Sequence, residues 1–289
     1  MAMSMNINQR LLQSVREEPK KMLMPISGYE NVTVKSLEDA CEPIKNLFDQ
    51  KLKQNINIAK MNSSDPEDNL TPDESAAIHL YTMEWDVHEK SLYMILNQTL
   101  RSADRSKLQP WFKYLKLFLT AFFKLPSSEY TLVWRGVRED LSALYPKGKE
   151  FAWWALSSCT TSIEVLESPN YLGKSGTRTI FSIQTNRGKS VRTHSYFENE
   201  DEVLLPPGIY LRVIGNMSPA SDLHIIHLQE IAPPHQMLAD PFDLSQLKHT
   251  LPTKSTTQVT PKKEQLPIDV PKKKSPYSEE KLDKNYAFT

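Results

Sequence analysis

The acidic turn in the stretch YFENEDEVLLPPG, residues 196–208, places four carboxylates directly before an apolar run that reads as a strand. Glu200 and Glu202 are two positions apart where that strand begins, and side chains at i and i+2 of an extended chain project to the same side. Two carboxylates could therefore face one cleft and act on two different substrates. The competing interpretation is a solvated turn, because runs of charge usually lie on the surface.

An arginine inside an apolar strand is the second feature that could do chemistry. Arg135 lies in the segment VWRGV, and burying an arginine costs free energy unless an anion pairs with it. It either forms a structural salt bridge or presents its planar fork of donors to a phosphate. Gly136, the next residue, would allow a ligand to approach the backbone closely.

Hydroxyl side chains crowd the end of an aromatic stretch in WALSSCTTS, residues 154–162. The segment fits either a Ser/Thr-rich turn or a set of hydrogen-bonding groups that support a site. No G-x-S-x-G elbow is present to make one of these serines a nucleophile. A serine here is therefore a more plausible support than a nucleophile.

The elements that must position these residues divide the chain in two. Residues 31–125 have a helical pattern, in which Thr71, Pro72 and Glu74 predict a helix that begins with a capping box. Residues 126–240 contain short runs of strand-forming residues separated by turns. Helices followed by strands predict an α+β fold rather than an alternating one. The predicted strands are YTLVWRGV, FAWWALSSCTTS, RTIFSIQT, SVRTHSYF, EVLLPPGIYLRVIGN and LHIIHLQEI.

The two ends of the chain differ from this single domain, residues 31–240. Residues 1–30 are expected to form a loose N-terminal arm. Residues 241–289 are rich in proline, lysine, serine and threonine and poor in apolar side chains, which predicts a disordered tail. Its PKKKSP segment could direct nuclear entry, although such clusters more often only add solubility.

Composition limits the function. The formal net charge is zero, with 35 basic and 35 acidic residues, which argues against a protein that coats nucleic acid or an anionic membrane. The two cysteines, Cys41 and Cys159, indicate neither a disulfide framework nor a zinc site. No signal sequence or membrane span is evident. We expect a cytoplasmic, soluble monomer that binds no nucleic acid, no membrane and no metal.

Taken in order, an arginine, a serine in an S-x-S/T triplet and a Glu-x-Glu pair resemble the arginine-serine-glutamate class of mono-ADP-ribosyltransferases. The resemblance covers roughly residues 70–235 and includes the helical segment LTPDESAAIHLYT, residues 70–82. It implies a fold in which a helical N-terminal part precedes two packed β-sheets that form a cleft for NAD. It also implies a protein acceptor with an exposed arginine side chain.

The resemblance also implies a role for each motif residue. Arg135 would contact the dinucleotide, and the backbone of Gly136 would contact the nicotinamide amide. The serine triplet falls on Ser158-Cys159-Thr160, with Ser158 as the motif serine and Ser157 as the alternative. Glu202 would be the catalytic glutamate.

The chemistry expected of such a site is cleavage of the bond between nicotinamide and ribose. Positive charge develops on the ribose, as in glycoside hydrolysis, and a fixed Glu202 carboxylate would stabilise it. Glu200 would bind the guanidinium of an arginine acceptor. The alternatives are an NAD glycohydrolase that uses the same site with water as acceptor, and a module that binds NAD or a protein without chemistry.

Overall fold

The computed structural model of this chain describes residues 8–128 and 131–242. Within these residues most of the helical structure precedes the strands, which confirms the α+β class. The helical part supplies one wall of the site and the strands supply the other. The α-helices are α1 Leu37–Cys41, α2 Lys51–Asn62, α3 Pro72–Thr82, α4 Leu92–Leu100, α5 Phe112–Lys124 and α6 Ile163–Glu167.

The helices begin and pack as their sequences predict. Helix α3 has the expected capping box: the Glu74 amide donates to Thr71 Oγ1 at 3.3 Å, and the Thr71 amide donates to Glu74 Oε2 at 2.9 Å. Pro72 occupies its first turn. Helix α5 follows a 3-10 helix, Arg105–Trp111, and buries most of its length against α3 and α1. These helices share one apolar core.

One eight-stranded mixed sheet forms the second part of the molecule, in the order β2-β7-β8-β4-β1-β3-β6-β5. Strands β4 and β8 are parallel and the other pairs are antiparallel. The strands are β1 Leu132–Val137, β2 Glu150–Trp153, β3 Ser157–Thr160, β4 Arg178–Gln184, β5 Lys189–Ser190, β6 Glu202–Leu205, β7 Ile209–Ala220 and β8 Leu223–Glu230.

The resemblance implied two packed sheets, and the structure has two halves of one sheet. Strands β2, β7, β8, β4 and β1 form one half, and β3, β6 and β5 form the other. A single register pair, Trp134 with Thr160, joins β1 to β3. Side chains of both halves meet in one buried cluster, which includes Val133, Phe181, Cys159 and Val203. The site residues of the two halves are therefore held by shared packing and by little backbone pairing.

Three predicted strands are shorter than their sequences suggest. EVLLPPGIYLRVIGN was predicted as one strand, but it forms β6 and β7, with the turn at residues 206–208 between them. FAWWALSSCTTS was predicted as one strand, but it forms β2 and β3, which lie in different halves of the sheet. The break falls at Leu156, whose amide and carbonyl are hydrogen-bonded by the side chain of Asn97. SVRTHSYF forms only the end of β5 and a 3-10 helix, Arg192–His194. There His194 is held by Ser75 and Asp68 of the helical part.

Residues 8–30, part of the arm expected to be loose, are packed against the domain. Leu11 and Val15 are buried, as is Tyr29. The Glu18 carboxylate accepts from Arg101 at 2.7 Å and from the Trp154 amide at 2.7 Å. The expectation of looseness was wrong for these residues, because their anchors are isolated side chains with no periodic pattern.

Across residues 8–128 and 131–242, no helix combines the length and the apolar character needed to cross a membrane. The predicted disordered tail lies outside the described residues from position 243 onward.

Candidate active site

The pairing of β3 with β6 places the motif serine and the glutamates. Thr160 pairs with Glu202, and Ser158 pairs with Leu204. Residues that pair across antiparallel strands, and those two positions further along, lie on the same face of the sheet. Ser158 therefore lies on the face of Glu202, whereas Ser157 lies on the opposite face. This geometry favours Ser158 over Ser157 as the motif serine.

Arg135 lies on β1, in the interior of the sheet between β4 and β3, and is 1% exposed. Its Nη1 donates to the carbonyl of Arg10 at 3.1 Å and to that of Ser158, and its Nη2 donates to the carbonyl of Gln13. No carboxylate among the described residues forms a salt bridge with it. Among the described residues, Arg135 therefore does not form the structural salt bridge that was one of the two interpretations of its sequence.

Burial lowers the pKa of Arg135 from its ordinary value, because the charged form loses its hydration. Within the described residues, its Nε and the Ser158 hydroxyl are buried without a hydrogen-bond partner. Buried polar groups without partners are rare in proteins and call for an explanation, such as a functional role. Here two of them belong to residues that the family resemblance implies are part of the NAD site.

Gly136 is adjacent to Arg135 and makes room for a loop. A Cβ at this position would lie 3.1 Å from Leu172 Cδ2 and 3.5 Å from Leu166 Cδ2. The space that the missing side chain leaves is thus filled by the segment after α6. Any contact of Gly136 with a ligand would have to be made by its backbone.

Glu202 is fully buried and paired with a residue that the sequence did not single out. Arg10 Nη2 lies 2.7 Å from Glu202 Oε2, and Arg10 Nε donates to Glu202 Oε1 at 3.3 Å. This fork-to-fork contact is the geometry in which a guanidinium binds a carboxylate most strongly. Ser195 Oγ donates to the same carboxylate at 3.4 Å.

The third contact of Arg10 is with the helical wall. Its Nη1 donates to the carbonyl of Thr82 where α3 ends, and its guanidinium lies 5.5 Å from the ring centroids of both Tyr93 and Phe197. Burial acts to lower the pKa of Arg10, but the charge and hydrogen bond of Glu202 raise it above its ordinary value. Arg10 therefore stays charged.

Glu200 faces the same place as Glu202. Asn8 Nδ2 donates to Glu200 Oε2 at 2.8 Å, and the Tyr171 hydroxyl donates to Glu200 Oε1. Burial, followed by the bond to Glu200, raises the pKa of Tyr171, so the phenol remains a donor. The other two carboxylates of the turn, Glu198 and Asp201, are exposed. The acidic turn thus divides into two carboxylates for the site and two for solvent.

A sequence model of the family described as NAD:arginine ADP-ribosyltransferase matches residues 28–235. The chain belongs to this family. No curated protein sequence matches it. As a member, it is an ADP-ribosyltransferase of a family that uses NAD as its substrate.

Solved structures of other ADP-ribosyltransferases are similar to this one at low identity. Vis toxin from Vibrio splendidus is 19% identical with a TM-score of 0.46, and the match covers 74% of this chain and 96% of that one. HopU1 of Pseudomonas syringae pv. Tomato DC3000 is 19% identical with a TM-score of 0.46, over 61% and 87%. The eukaryotic mono-ADP-ribosyltransferase ART2.2 is 18% identical with a TM-score of 0.45, over 74% and 98%.

In this ADP-ribosyltransferase, sequence reasoning missed Asn8 and Arg10. Both lie before the matched residues, in a segment without periodicity, and their partners are about 190 positions away along the chain. The remaining signal was weak: a short apolar pair, Leu11 and Leu12, follows an arginine. His194 is near Glu202 in the sequence, but its side chain bonds Ser75 and Asp68 of the helical part.

The described residues of this transferase contain no group of three or more histidine, cysteine, aspartate or glutamate side chains placed to hold a metal ion. The expectation of a metal-free reaction stays a prediction.

Proposed function

We propose that this protein transfers ADP-ribose from NAD to arginine side chains of a protein acceptor and releases nicotinamide. The observation that carries the proposal is a guanidinium bound by an inward carboxylate: Arg10 is bidentate on Glu202, and the side-chain amide of Asn8 donates to both Glu202 and Glu200. A pocket that holds one arginine side chain in this way has the charge and the donor-acceptor pattern to hold another.

In the proposed reaction, Glu202 stabilises positive charge on the nicotinamide ribose. The bond between C1 of that ribose and the nicotinamide nitrogen breaks, and its electron pair leaves with nicotinamide. A guanidinium nitrogen of the acceptor then forms a bond to the same carbon and releases a proton to solvent. Fixed negative charge accelerates the step because it stabilises the cationic transition state more than the ground state.

We assign the dinucleotide end of the cleft to Arg135, Gly136 and Ser158. Two of the donors of Arg135 contact carbonyls of the N-terminal arm, and its Nε has no partner among the described residues. A guanidinium with donors to spare suits a phosphate, since its planar fork matches phosphate oxygens. The buried Ser158 hydroxyl lies on the face of Glu202 and can support either the carboxylate or the ribose.

Transfer to arginine is favoured over hydrolysis of NAD by the position of Glu200. Water needs no carboxylate that binds a guanidinium, whereas Glu200 is turned inward and held by Tyr171 and Asn8. A module without chemistry is disfavoured because it would bury the carboxylate of Glu202 and the charge of Arg135 without using either in catalysis. Burying charged groups costs free energy.

The test measures nicotinamide release and label transfer to agmatine, an arginine analogue, in one tube with labelled NAD. We expect Glu202→Gln to lose both by a factor of about 10² to 10³ or more, as when a preorganised electrostatic contact is removed. Glu200→Gln should lose transfer and keep slow NAD hydrolysis. Glu198→Gln is the matched control, because that carboxylate is exposed, and should behave as the wild type.

Equal losses of both readouts in Glu200→Gln would contradict the assignment of that residue to the acceptor. Release of nicotinamide without transfer in the wild type would favour the glycohydrolase.

A further inference from the structure

We infer that residues 8–13, the inner arm, are an intramolecular ligand of the cleft that NAD must displace before it binds. This inference rests on the proposed function for the identity of the displacing ligand. The contact itself is between described residues. The cleft is thus also a binding site for an arginine-bearing peptide.

At the glutamate end, the inner arm occupies both carboxylates. Arg10 takes both oxygens of Glu202, with Nη2 to Oε2 at 2.7 Å, and Asn8 takes Glu200 at 2.8 Å. Asn8 and Arg10 are 0% and 1% exposed. A carboxylate that already neutralises one cation in a dry site cannot also stabilise a second cation on a ribose. Chemistry at Glu202 therefore requires Arg10 to leave.

At the arginine end, the backbone of the same segment accepts hydrogen bonds from the guanidinium of Arg135. The carbonyls of Arg10 and Gln13 accept from Nη1 and Nη2 of that guanidinium. Asn97 Nδ2 donates to the side chain of Gln13 at 3.2 Å. The inner arm thus covers both ends of the proposed NAD site. Its side chains bind the glutamates at one end, and its backbone carbonyls bind Arg135 at the other.

The segment is built to leave without unfolding the domain. It is a four-residue 3-10 helix, Gln9–Leu12. Residues 14–30, the outer arm, have separate anchors, which are the buried pair of Glu18 with Arg101 at 2.7 Å and the backbone bond from Ile26 to Met237. Release of residues 8–13 can therefore leave these anchors in place. When only a fraction of molecules has an open cleft, the apparent affinity for NAD falls by that fraction.

The first experiment uses the full chain and measures KM for NAD cleavage. The double variant Asn8→Ala/Arg10→Ala removes the contacts at the glutamate end and should lower KM by about tenfold, because the open fraction rises. Arg10→Lys keeps the charge but not the fork and should have an intermediate KM. Arg212→Ala is the matched control: it removes an arginine that pairs with Glu150 at 2.6 Å on the surface, and should leave KM unchanged.

The second experiment needs no catalysis. A fluorescent peptide of residues 8–16, NQRLLQSVR, is titrated into the double variant and into the wild type. We expect it to bind the double variant at least about tenfold more tightly, since the wild-type arm competes with it. A peptide with alanine in place of Arg10 should not bind. Unlabelled NAD should displace the bound peptide.

The two experiments separate failure of the inference from failure of the proposed function. Equal KM values, together with equal peptide affinity in wild type and double variant, would overturn the inference while leaving an ADP-ribosyltransferase. Arginine-dependent peptide binding in a chain that neither binds nor cleaves NAD would support the peptide site and overturn the proposed function. If the double variant has lost its fold by circular dichroism, Arg10→Lys decides in the same assays.

Discussion

Two buried arginines, Arg10 and Arg135, are joined by a hydrogen bond and yet are satisfied in opposite ways. Arg10 belongs to a four-residue 3-10 helix and faces the carboxylate of Glu202. Arg135 belongs to a strand in the interior of the sheet, and each of its hydrogen bonds in the described structure goes to a backbone carbonyl. The positive charge of Arg10 on the arm is neutralised by a carboxylate, whereas the positive charge of Arg135 on the strand has no carboxylate partner among the described residues.

The pKa values of the two side chains follow this difference. The pKa of Arg10 is raised by Glu202 despite burial, and burial lowers the pKa of Arg135. An uncompensated buried cation persists only where the backbone around it cannot move away, and every residue of β1 is paired with β4. The comparison shows that, among the described residues, the strand side of the cleft holds a cation without a carboxylate partner, whereas the arm side holds a cation that is paired with Glu202.

The largest effect should come from Arg135→Lys. Lysine keeps the charge but loses the fork, so at least one of the carbonyls of Arg10, Gln13 and Ser158 loses its buried donor. We expect a loss of about 3 kcal/mol in the free energy of unfolding, since each orphaned buried group costs roughly 1–3 kcal/mol. NAD affinity should fall as well. Urea unfolding measures the first effect and titration calorimetry the second. An unchanged free energy of unfolding would show that the hydrogen bonds of Arg135 do not fix this side of the cleft.

A smaller effect, confined to the arm, should follow Glu202→Gln. Breaking a buried ion pair can cost about 3–5 kcal/mol, but the arm can limit the loss by detaching. We therefore expect about 2 kcal/mol, seen as about 30-fold faster hydrogen exchange at the amides of Leu11 and Gln13. Amides of β1 should keep their protection. If β1 loses protection to the same degree as the arm, the two sides of the cleft are one cooperative unit and the contrast between them is wrong.

The smallest effect should come from pH, through the helix that supports Arg10. His79 lies on α3, and burial lowers its pKa to about 4. Between about pH 6.5 and pH 4 the unfolded chain binds a proton at this residue that the folded chain does not, so stability falls as the pH falls. We expect this group to account for about 1–2 kcal/mol of the loss between pH 7 and pH 5.

The matched variant is His79→Gln, which keeps a polar group near Asn62, 3.2 Å from the imidazole, and does not titrate. Thermal unfolding at pH 7 and pH 5 should give a smaller difference in melting temperature for the variant than for the wild type. Identical pH dependence of the two proteins would place the acid-sensitive group elsewhere.

Much of the fold could be predicted because its signals are local. The capping box of α3 needs only Thr71 and Glu74, and the strand around Arg135 needs only its own composition. FAWWALSSCTTS could not be divided correctly, since its break depends on Asn97, a residue far away in the chain. The strand predicted for SVRTHSYF was wrong because tertiary hydrogen bonds to His194 outweigh local propensity.

The candidate site shows the same limit. Glu200 and Glu202 both lie inward, as predicted, but not because both lie on an extended strand: Glu200 precedes β6 in a turn, where the Glu202 amide donates to its carbonyl at 2.8 Å. Their order after Arg135 and Ser158 carried the family resemblance. The choice between Ser157 and Ser158 needed the register of β3 with β6. Arg10 could not be predicted as a site residue, because no local sequence pattern indicates that it pairs with Glu202.

The separation of 192 residues between Arg10 and Glu202 also sets the order of events during synthesis. A nascent chain emerges from its N-terminus, so the inner arm is made before β6, and strands β7 and β8 are made after it. Loop closure over such a length adds only a logarithmic entropic cost, so the distance delays docking but does not forbid it. The contact between arm and cleft can consequently form only once β6 has been made, long after the inner arm itself.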